Sequence, residues 1–518
     1  MKKNIYITGM ALSLALLSSC GDFLDVKPVG QMIPTEVSQF ENILNNTTTL
    51  SYQFIDNNKG CSYAFIGDNV QISENQMKFN YNSTFPNQDV IAAYKFYSPM
   101  LDPKSTPMWW TYGYRAIGLF NNVVDGVNEL DASSSYAKGV IAQAKAGRAW
   151  IYMNFALMYG PMYNPAGTND ALTVPFRTSG DPTVGNGPLA TTAQIFAGIK
   201  DDMDYACENC PQSVANPSRA NKATAYALRA EYYMYMRDWN NMLADCNKAW
   251  ELALQNVGGD VDKLIYNYSD FSYDESKPAE PEEGCDKEYW MDLLGPDNDY
   301  DQTINRENML YREAAYGNST SRFYPSEDWK SIFDAEHDLR WKLFALKVPG
   351  YSGTKSGETF NDGPRVCYTR ADDKMSTTQA YTHPLLLLMK AEAEARTGAD
   401  GAALADLNTL RKYRYSGDNV ELTNLAGDAL LEEILKERRR EQPLVSIQRV
   451  LDLKRYALDS GKPWAKQTIE HKCGNKTYTK AVTDAYYQSL PIDNAILQYN
   501  PQWGISINDA TFEPYNAD

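Results

Sequence analysis

One stretch of the sequence, from Gly258 to Thr382, combines many aromatic residues with the composition of loops. Its helical periodicity fades, and Pro, Gly, Asp, Ser and Tyr dominate. An aromatic ring with a free face can stack on a sugar ring or on a peptide side chain, while neighbouring polar oxygens bind hydroxyl groups. The aromatic residues are Trp290, Tyr300, Tyr311, Tyr316, Phe323 and Tyr324. Each ring taken singly also suits a core position. The prediction of a binding surface therefore rests on the set as a whole, within a long loop-rich stretch.

The same stretch contains alternating carboxylates in Asp297-Asn-Asp-Tyr-Asp301, which is how a calcium-binding loop begins. Gln302 stands where such a loop needs glycine, and Asn308 stands where it needs glutamate. This pattern excludes an EF-hand. It leaves an irregular calcium site around Asp297, Asp299 and Asp301 and a solvated acidic loop as alternatives. We otherwise predict no metal and no cofactor, because the three histidines are widely spaced.

No familiar catalytic motif is found in the chain. There is no G-x-S-x-G, no H-E-x-x-H and no phosphate-binding loop. The sequence therefore predicts a binding protein and not an enzyme. A glycoside hydrolase is the enzymatic alternative, because the 66 acidic residues offer many pairs of carboxylates. Cys207 and Cys210 form a C-x-x-C pair without the βαβ context of a redox motif, which predicts a local disulfide or two buried thiols.

Composition bounds the class of protein. The 518 residues carry a net charge of −17, which makes nucleic acid and anionic membrane surfaces poor partners for the body of the chain. A hydrophobic content of 43% and a charged content of 22% describe an ordinary globular protein. With 36 tyrosines and 10 tryptophans, the chain has a surplus of amphipathic rings, which suits sugar or peptide binding.

The N-terminus has the pattern of a lipoprotein signal. Lys2 and Lys3 precede an apolar run, Ile5–Leu17, that is too short to span a bilayer. The following Leu17-Ser-Ser-Cys20 resembles the lipobox of bacterial lipoproteins. We therefore predict a signal peptide at residues 1–19 and a lipid anchor on Cys20, with no other membrane segment.

The elements that must position these residues are predicted to be helices. Pro384–Arg396 and the segment from Ala402 to Arg411 are rich in small residues and are joined at Gly398, as in helix-turn-helix repeats. A third helix follows, and Glu437-Arg-Arg-Arg-Glu441 is expected to cover its end with charge. Further helices are predicted at Ala142–Tyr159, Thr191–Tyr205, Ser218–Met236 and Trp239–Leu254.

A helix that starts near Met108 presents two different faces. Trp110, Tyr114, Ile117 and Asn121 recur at steps of four, three and four, so they share one face and are predicted to be core. Trp109 points to another side and is a candidate exposed ring.

Several motifs, taken in order, resemble the SusD/RagB family, the nutrient-capturing surface lipoproteins of Bacteroidetes. They are "DFLDVKP", "AGRAWIYMNFALMYGPMY", "LLLLMKAEAEARTG", "ILKERRREQ" and "RVLDLKRY". The resemblance implies a mostly α fold, in which tetratricopeptide-like helix pairs form a scaffold and the long loop-rich insertion faces the ligand. It also implies one SusD-like body at residues 20–518, divided into 20–257, the insertion 258–382 and 383–518.

The resemblance also assigns roles to individual residues. Asp68 and Asn69 lie where family members often have a ligand-facing acidic pair, and an Asx turn that caps a loop is the alternative. Gln143 replaces a family glutamate, so Arg148 lacks that charge partner. Asp338 and Arg340 are expected to form a structural ion pair. The predicted ligand-binding residues are Asp68, Asn69, Trp109, Trp290, Tyr316 and Tyr324.

The function implied is capture of an oligosaccharide at the cell surface and its delivery to a SusC-like TonB-dependent transporter. The protein would lie on the outer membrane, held by its lipid anchor alone. A peptide ligand, as in RagB-like members, is the alternative within the binding class. A repeat scaffold for protein partners is a third class.

We expect radiolabelled palmitate to be incorporated into the wild-type chain in cells and not into Cys20→Ser, because the thiol carries the lipid. The variant should also leave the membrane fraction. Equal labelling of the two chains would contradict the predicted anchor.

Overall fold

The computed structural model describes residues 34–45, 62–79, 86–104, 108–131, 133–276, 280–296, 305–312, 324–368 and 380–515. The architecture is mostly α, as predicted. The described ranges contain sixteen α-helices: α1 Val37–Ile43, α2 Glu74–Lys78, α3 Gln88–Tyr94, α4 Met108–Leu130, α5 Ser135–Tyr159, α6 Thr192–Asn209, α7 Lys222–Met236, α8 Trp239–Asn256, α9 Glu327–Lys330, α10 Leu339–Phe344, α11 His383–Arg396, α12 Asp400–Arg411, α13 Gly427–Glu441, α14 Ile447–Tyr456, α15 Ala485–Gln488 and α16 Asn494–Leu497.

The long helices pack successively on one another. From α4 to α7, each helix contacts the one that follows it in the chain. Helix α8 then contacts α11, and α11 contacts both α12 and α13. The array therefore continues across the insertion, whose two ends return to neighbouring helices. Such stacking is typical of tetratricopeptide-like helix pairs.

Polar caps fix where the helices begin. Ser134 caps α5 by accepting a hydrogen bond from the Ala137 amide, so this helix starts seven residues before the predicted Ala142. Asn221 caps α7 in the same way, so this helix starts at Lys222, four residues after the predicted Ser218. Arg237, with φ of 59°, ends α7 and leaves only a tight turn before α8.

Close helix contacts depend on small residues. A Cβ atom on Gly147 of α5 would lie 2.4 Å from the ring of Phe120 on α4. The predicted core face of α4 is confirmed. Trp110, Ile117 and Asn121 are buried, and Tyr114 is partly buried and packs against the main apolar core.

Short strands and turns occupy much of the described part of the insertion, where the composition predicted loops. The strands are β1 Val70–Gln71, β2 Ser272–Tyr273, β3 Leu293–Leu294, β4 Asn308–Leu310, β5 Tyr324–Pro325, β6 Ala345–Val348, β7 Ser352–Lys355, β8 Glu358–Asn361, β9 Arg365–Tyr368, β10 Tyr381–Thr382, β11 Thr468–Cys473 and β12 Lys476–Ala481. They form six antiparallel pairs: β1–β5, β2–β3, β4–β10, β6–β9, β7–β8 and β11–β12. Tyr324, Val348 and Phe360 belong to a second apolar cluster beneath these strands.

A layer of buried ion pairs joins the insertion to the helices. Arg340 on α10 lies 2.6 Å from both Glu437 and Glu441 of α13, and 2.7 Å from Asp338. Arg414 lies 2.8 Å from Glu441 and 2.6 Å from Glu307 of the insertion. The predicted Asp338–Arg340 pair is thus confirmed.

The prediction that Glu437–Glu441 covers a helix end with charge is wrong. All five side chains of this run are buried. Arg438 pairs with Asp452 of α14, and Arg439 pairs with Asp328 of α9. Since buried charges are tolerated only when they are paired and hydrogen-bonded, the run cross-links elements that are far apart in the chain.

We expect Arg340→Met to lower the free energy of unfolding by about 3–5 kcal/mol, because it leaves the buried carboxylate of Asp338 without its ion-pair partner. The control Lys78→Met breaks an exposed ion pair with Glu358 and should cost at most about 1 kcal/mol. Urea denaturation followed by circular dichroism measures both. Equal losses would show that the buried layer does not stabilise the fold.

Acid should weaken a second set of pairs in the helical array. Burial raises the pKa of Glu392, but the charges of Arg455 and Arg396 outweigh it and lower this pKa to about 2. The folded-state pKa lies below the unfolded one, so the stabilisation is complete above about pH 4.5 and is lost as the pH falls toward 2. Glu392→Gln should be less stable than wild type at pH 7 and should lose less stability between pH 5 and pH 3. Parallel pH profiles for the two proteins would contradict this assignment.

Candidate functional site

Trp290 places an aromatic ring on the surface of the insertion. Its side chain is 38% exposed, and the neighbouring Leu294 is 48% exposed. The residue ends a 3-10 helix, Lys287–Trp290, that directly precedes β3. The ring of Tyr289 meets the indole edge-on at 4.9 Å and packs against the second apolar cluster. A partly exposed indole with a fixed neighbour is suited to stacking on a ligand.

Two hydrogen bonds hold this 3-10 helix on strand β6. The Asp286 amide donates to the Lys347 carbonyl at 2.8 Å, and the Lys347 amide donates to an Asp286 carboxylate oxygen at 2.7 Å. β6 pairs with β9, β9 contacts β5, and β5 pairs with β1. The exposed ring is thus supported by a connected row of strands.

Tyr324 supports this row from below and is not on the surface. It is buried in the second apolar cluster, where its hydroxyl donates to Asp362 at 2.9 Å and accepts from the Tyr351 amide at 2.6 Å. Burial raises the pKa of its phenol. The position of Tyr324 is therefore that of a packing residue, and Tyr311 is buried as well.

Asp68 and Asn69 are also buried, which differs from their predicted role. Arg449 donates to the two carboxylate oxygens of Asp68 at 2.7 and 2.8 Å, and Lys466 donates at 2.7 Å. Burial raises the pKa of Asp68, but Arg439 and Arg449 outweigh it and hold that pKa well below its usual range. Asn69 donates to the Leu444 carbonyl and accepts from Arg439. Both residues fasten β1 to the helices.

A cleft of about 460 Å³ opens above Asp68. Its walls come from β1, α9 and the β11–β12 hairpin, and they include Gln71, Asp328 and Lys466. Lys466 bridges Asp68 and Asp328 at 2.7 and 2.9 Å. Asp68 therefore positions a lysine at this cleft through an ion pair. The sequence did not indicate Lys466, which is 398 residues further along the chain than Asp68.

A larger cleft, of about 550 Å³, lies between α4 and the loop at residues 175–182. Sequence reasoning did not predict it. Asn121 of α4, expected as a core residue, holds the loop by donating to the carbonyls of Arg177 and Ser179 at 3.2 and 3.1 Å. It also accepts from Arg148 at 2.7 Å. Arg148 in turn pairs with Asp202, which supplies the partner that Gln143 does not.

The C-x-x-C pair is not joined by a disulfide. Cys207 and Cys210 are buried free thiols, which agrees with one of the two predicted alternatives. Burial raises the pKa of Cys207 to about 12, so its thiol stays protonated at neutral pH.

Several predicted residues lie outside what the structure describes. They are Cys20, Tyr316, the side chain of Trp109 and the possible calcium loop at Asp297, Asp299 and Asp301. Within the described ranges, no group of three or more His, Cys, Asp or Glu side chains could hold a metal ion. No helix there is long and apolar enough to cross a membrane.

Solved structures with the same fold come from Bacteroides. A SusD superfamily protein from Bacteroides vulgatus aligns over 90% of this chain and 98% of its own, with 17% identity and a TM-score of 0.63. A SusD superfamily protein from Bacteroides thetaiotaomicron gives the same identity and coverage, with a TM-score of 0.62. Surface glycan-binding protein A from Bacteroides uniformis aligns over 90% and 97%, with 15% identity and a TM-score of 0.57.

Two family models match the sequence, and no curated protein does. One, described as "Starch-binding associating with outer membrane", matches residues 22–234. The other, described as "SusD family", matches residues 296–503. The two matches together span most of the chain, and this protein belongs to the SusD family.

Proposed function

We propose that the protein binds an oligosaccharide at the outer cell surface without cleaving it. The observation that carries this proposal is the exposed indole of Trp290 on a face built from loops and short strands. Family membership supports a carbohydrate ligand. Stacking on the indole and hydrogen bonds to neighbouring polar groups need no nucleophile and no covalent step.

The bound sugar would then pass to a SusC-like TonB-dependent transporter. The lipid on Cys20 would keep the body at the outer membrane, close to that partner. Co-purification of an epitope-tagged chain from detergent-solubilised outer membranes tests the pairing. A TonB-dependent barrel should be recovered with the wild-type chain, and its absence would contradict delivery but not binding.

We expect Trp290→Ala to weaken oligosaccharide binding about tenfold, which corresponds to the loss of one stacking contact of about 1.4 kcal/mol. The ligand is first selected on a glycan and peptide array, and affinity is then measured by isothermal titration calorimetry. Tyr499→Ala is the matched control, because it removes a ring that is 79% exposed on another segment.

Three results would count against the proposal. Equal affinity of Trp290→Ala and wild type would show that the indole does not contribute to binding. Saturable binding of peptides and of no glycan would favour a RagB-like ligand. Release of shorter sugars during incubation for hours, followed by chromatography, would favour a glycoside hydrolase.

A further inference from the structure

The larger cleft has two arginines whose guanidinium groups form no ion pair with any described residue. Arg115 and Arg177 both line it. Arg115 is exposed, and the described residues offer it no ion pair or hydrogen bond. The guanidinium of Arg177 donates to the Asn186 side chain at 3.2 Å and to the Val184 carbonyl at 3.0 Å. Both acceptors are neutral, so Arg177 has hydrogen-bond partners but no ion-pair partner among the described residues.

Carboxylates are missing from the lining of this cleft within the described residues. Two acidic residues, one on α4 and one on the loop, stand near the cleft without lining it. Asp125 of α4 accepts from the Gly180 amide at 2.7 Å, and Asp181 accepts from the amide and hydroxyl of Thr183. In a chain with a net charge of −17, a cleft lined by two arginines and by no acid is suited to a negatively charged ligand.

Hydrogen bonds join the walls of the cleft. Tyr114 donates to the Pro175 carbonyl at 2.6 Å, and the Arg177 amide donates to the Tyr152 hydroxyl at 2.7 Å. With the hydrogen bonds of Asn121, these contacts fix the loop on α4, so the position of Arg177 is set before a ligand arrives. A preorganised site loses less entropy on binding.

The shape and polarity of the cleft fit a ring that bears a charged group. Space above Gly118 is open, with no atom within 4 Å of an added Cβ. Leu119 and Pro182 supply an apolar surface. The volume of about 550 Å³ lies within the range of small-molecule sites.

We propose that this cleft binds the carboxylate of an acidic sugar, such as a uronic acid unit of an oligosaccharide. Arg115 supplies the charged contact from α4, Arg177 adds positive charge from the loop, and the apolar wall accommodates the sugar ring. The choice of sugar over other carboxylates rests on the function proposed above. The site is distinct in residues from the surface around Trp290.

Calorimetric titration with a trimer of galacturonic acid tests this assignment on the soluble mature body. We expect saturable binding that weakens with added salt, and a loss of affinity of at least about tenfold in Arg115→Gln. The control Lys138→Gln, which removes an exposed positive charge from α5, should bind as wild type does. Because Arg115 is exposed, its variant should fold as wild type does. Circular dichroism of the variant checks this.

If the acidic trimer gives no heat of binding, or if Arg115→Gln binds it with unchanged affinity, the inference is overturned. A neutral galactose trimer that binds equally well, with the same dependence on Arg115, also overturns it. If triglutamate binds through Arg115 while the acidic sugar does not, the cleft takes a peptide and the sugar assignment is wrong. Binding of neutral glycans through Trp290 would leave the proposed function standing in each case.

Discussion

The fold depends on arginine–carboxylate pairs that are buried between the helices and the insertion. Each arginine of the run Arg438–Arg440 contacts a different part of the chain: α14, α9 or the segment that follows α9. Removing a guanidinium from water is costly, and only a paired, hydrogen-bonded geometry offsets that cost. Because these charges must be paired, the ion pairs fix where the irregular segments lie. The short two-stranded pairings alone could not fix them.

The same constraint explains how a loop-rich surface can hold a binding site. Arg340 and Arg414 connect α13 to the insertion, and Arg449 fixes Asp68 beside β1. From β1 the strands lead to β6, on which the 3-10 helix of Trp290 is fastened. Residues far from Trp290 thus position its exposed ring through the packing of these strands.

Part of this arrangement was readable from the sequence. Periodicity located the long helices, because burying one face leaves a regular apolar pattern. The faces of α4 and the Asp338–Arg340 pair followed from local spacing and from family resemblance. The starts of α5 and α7 were missed because single capping residues, Ser134 and Asn221, decide them.

The site was less predictable because its contacts join distant segments. In the sequence, Asp68 has the context of a loop carboxylate. Its partners Arg449 and Lys466 are almost four hundred residues away, so only the tertiary structure shows them beside it. A charged run such as Glu437–Glu441 has the composition of a surface, and only tertiary structure shows that it is buried. Tyr324 and Trp290 share one loop-rich stretch, and nothing local distinguishes the buried ring from the exposed one.

Hydrogen–deuterium exchange with mass spectrometry tests most directly whether the buried pairs bind the insertion to the scaffold. The amides of β6 and β9 should exchange as slowly as those of α14, because all three would open only when the ionic layer is broken. Rapid exchange in β6 and β9 while α14 stays protected would show that the insertion moves independently, and would contradict the account.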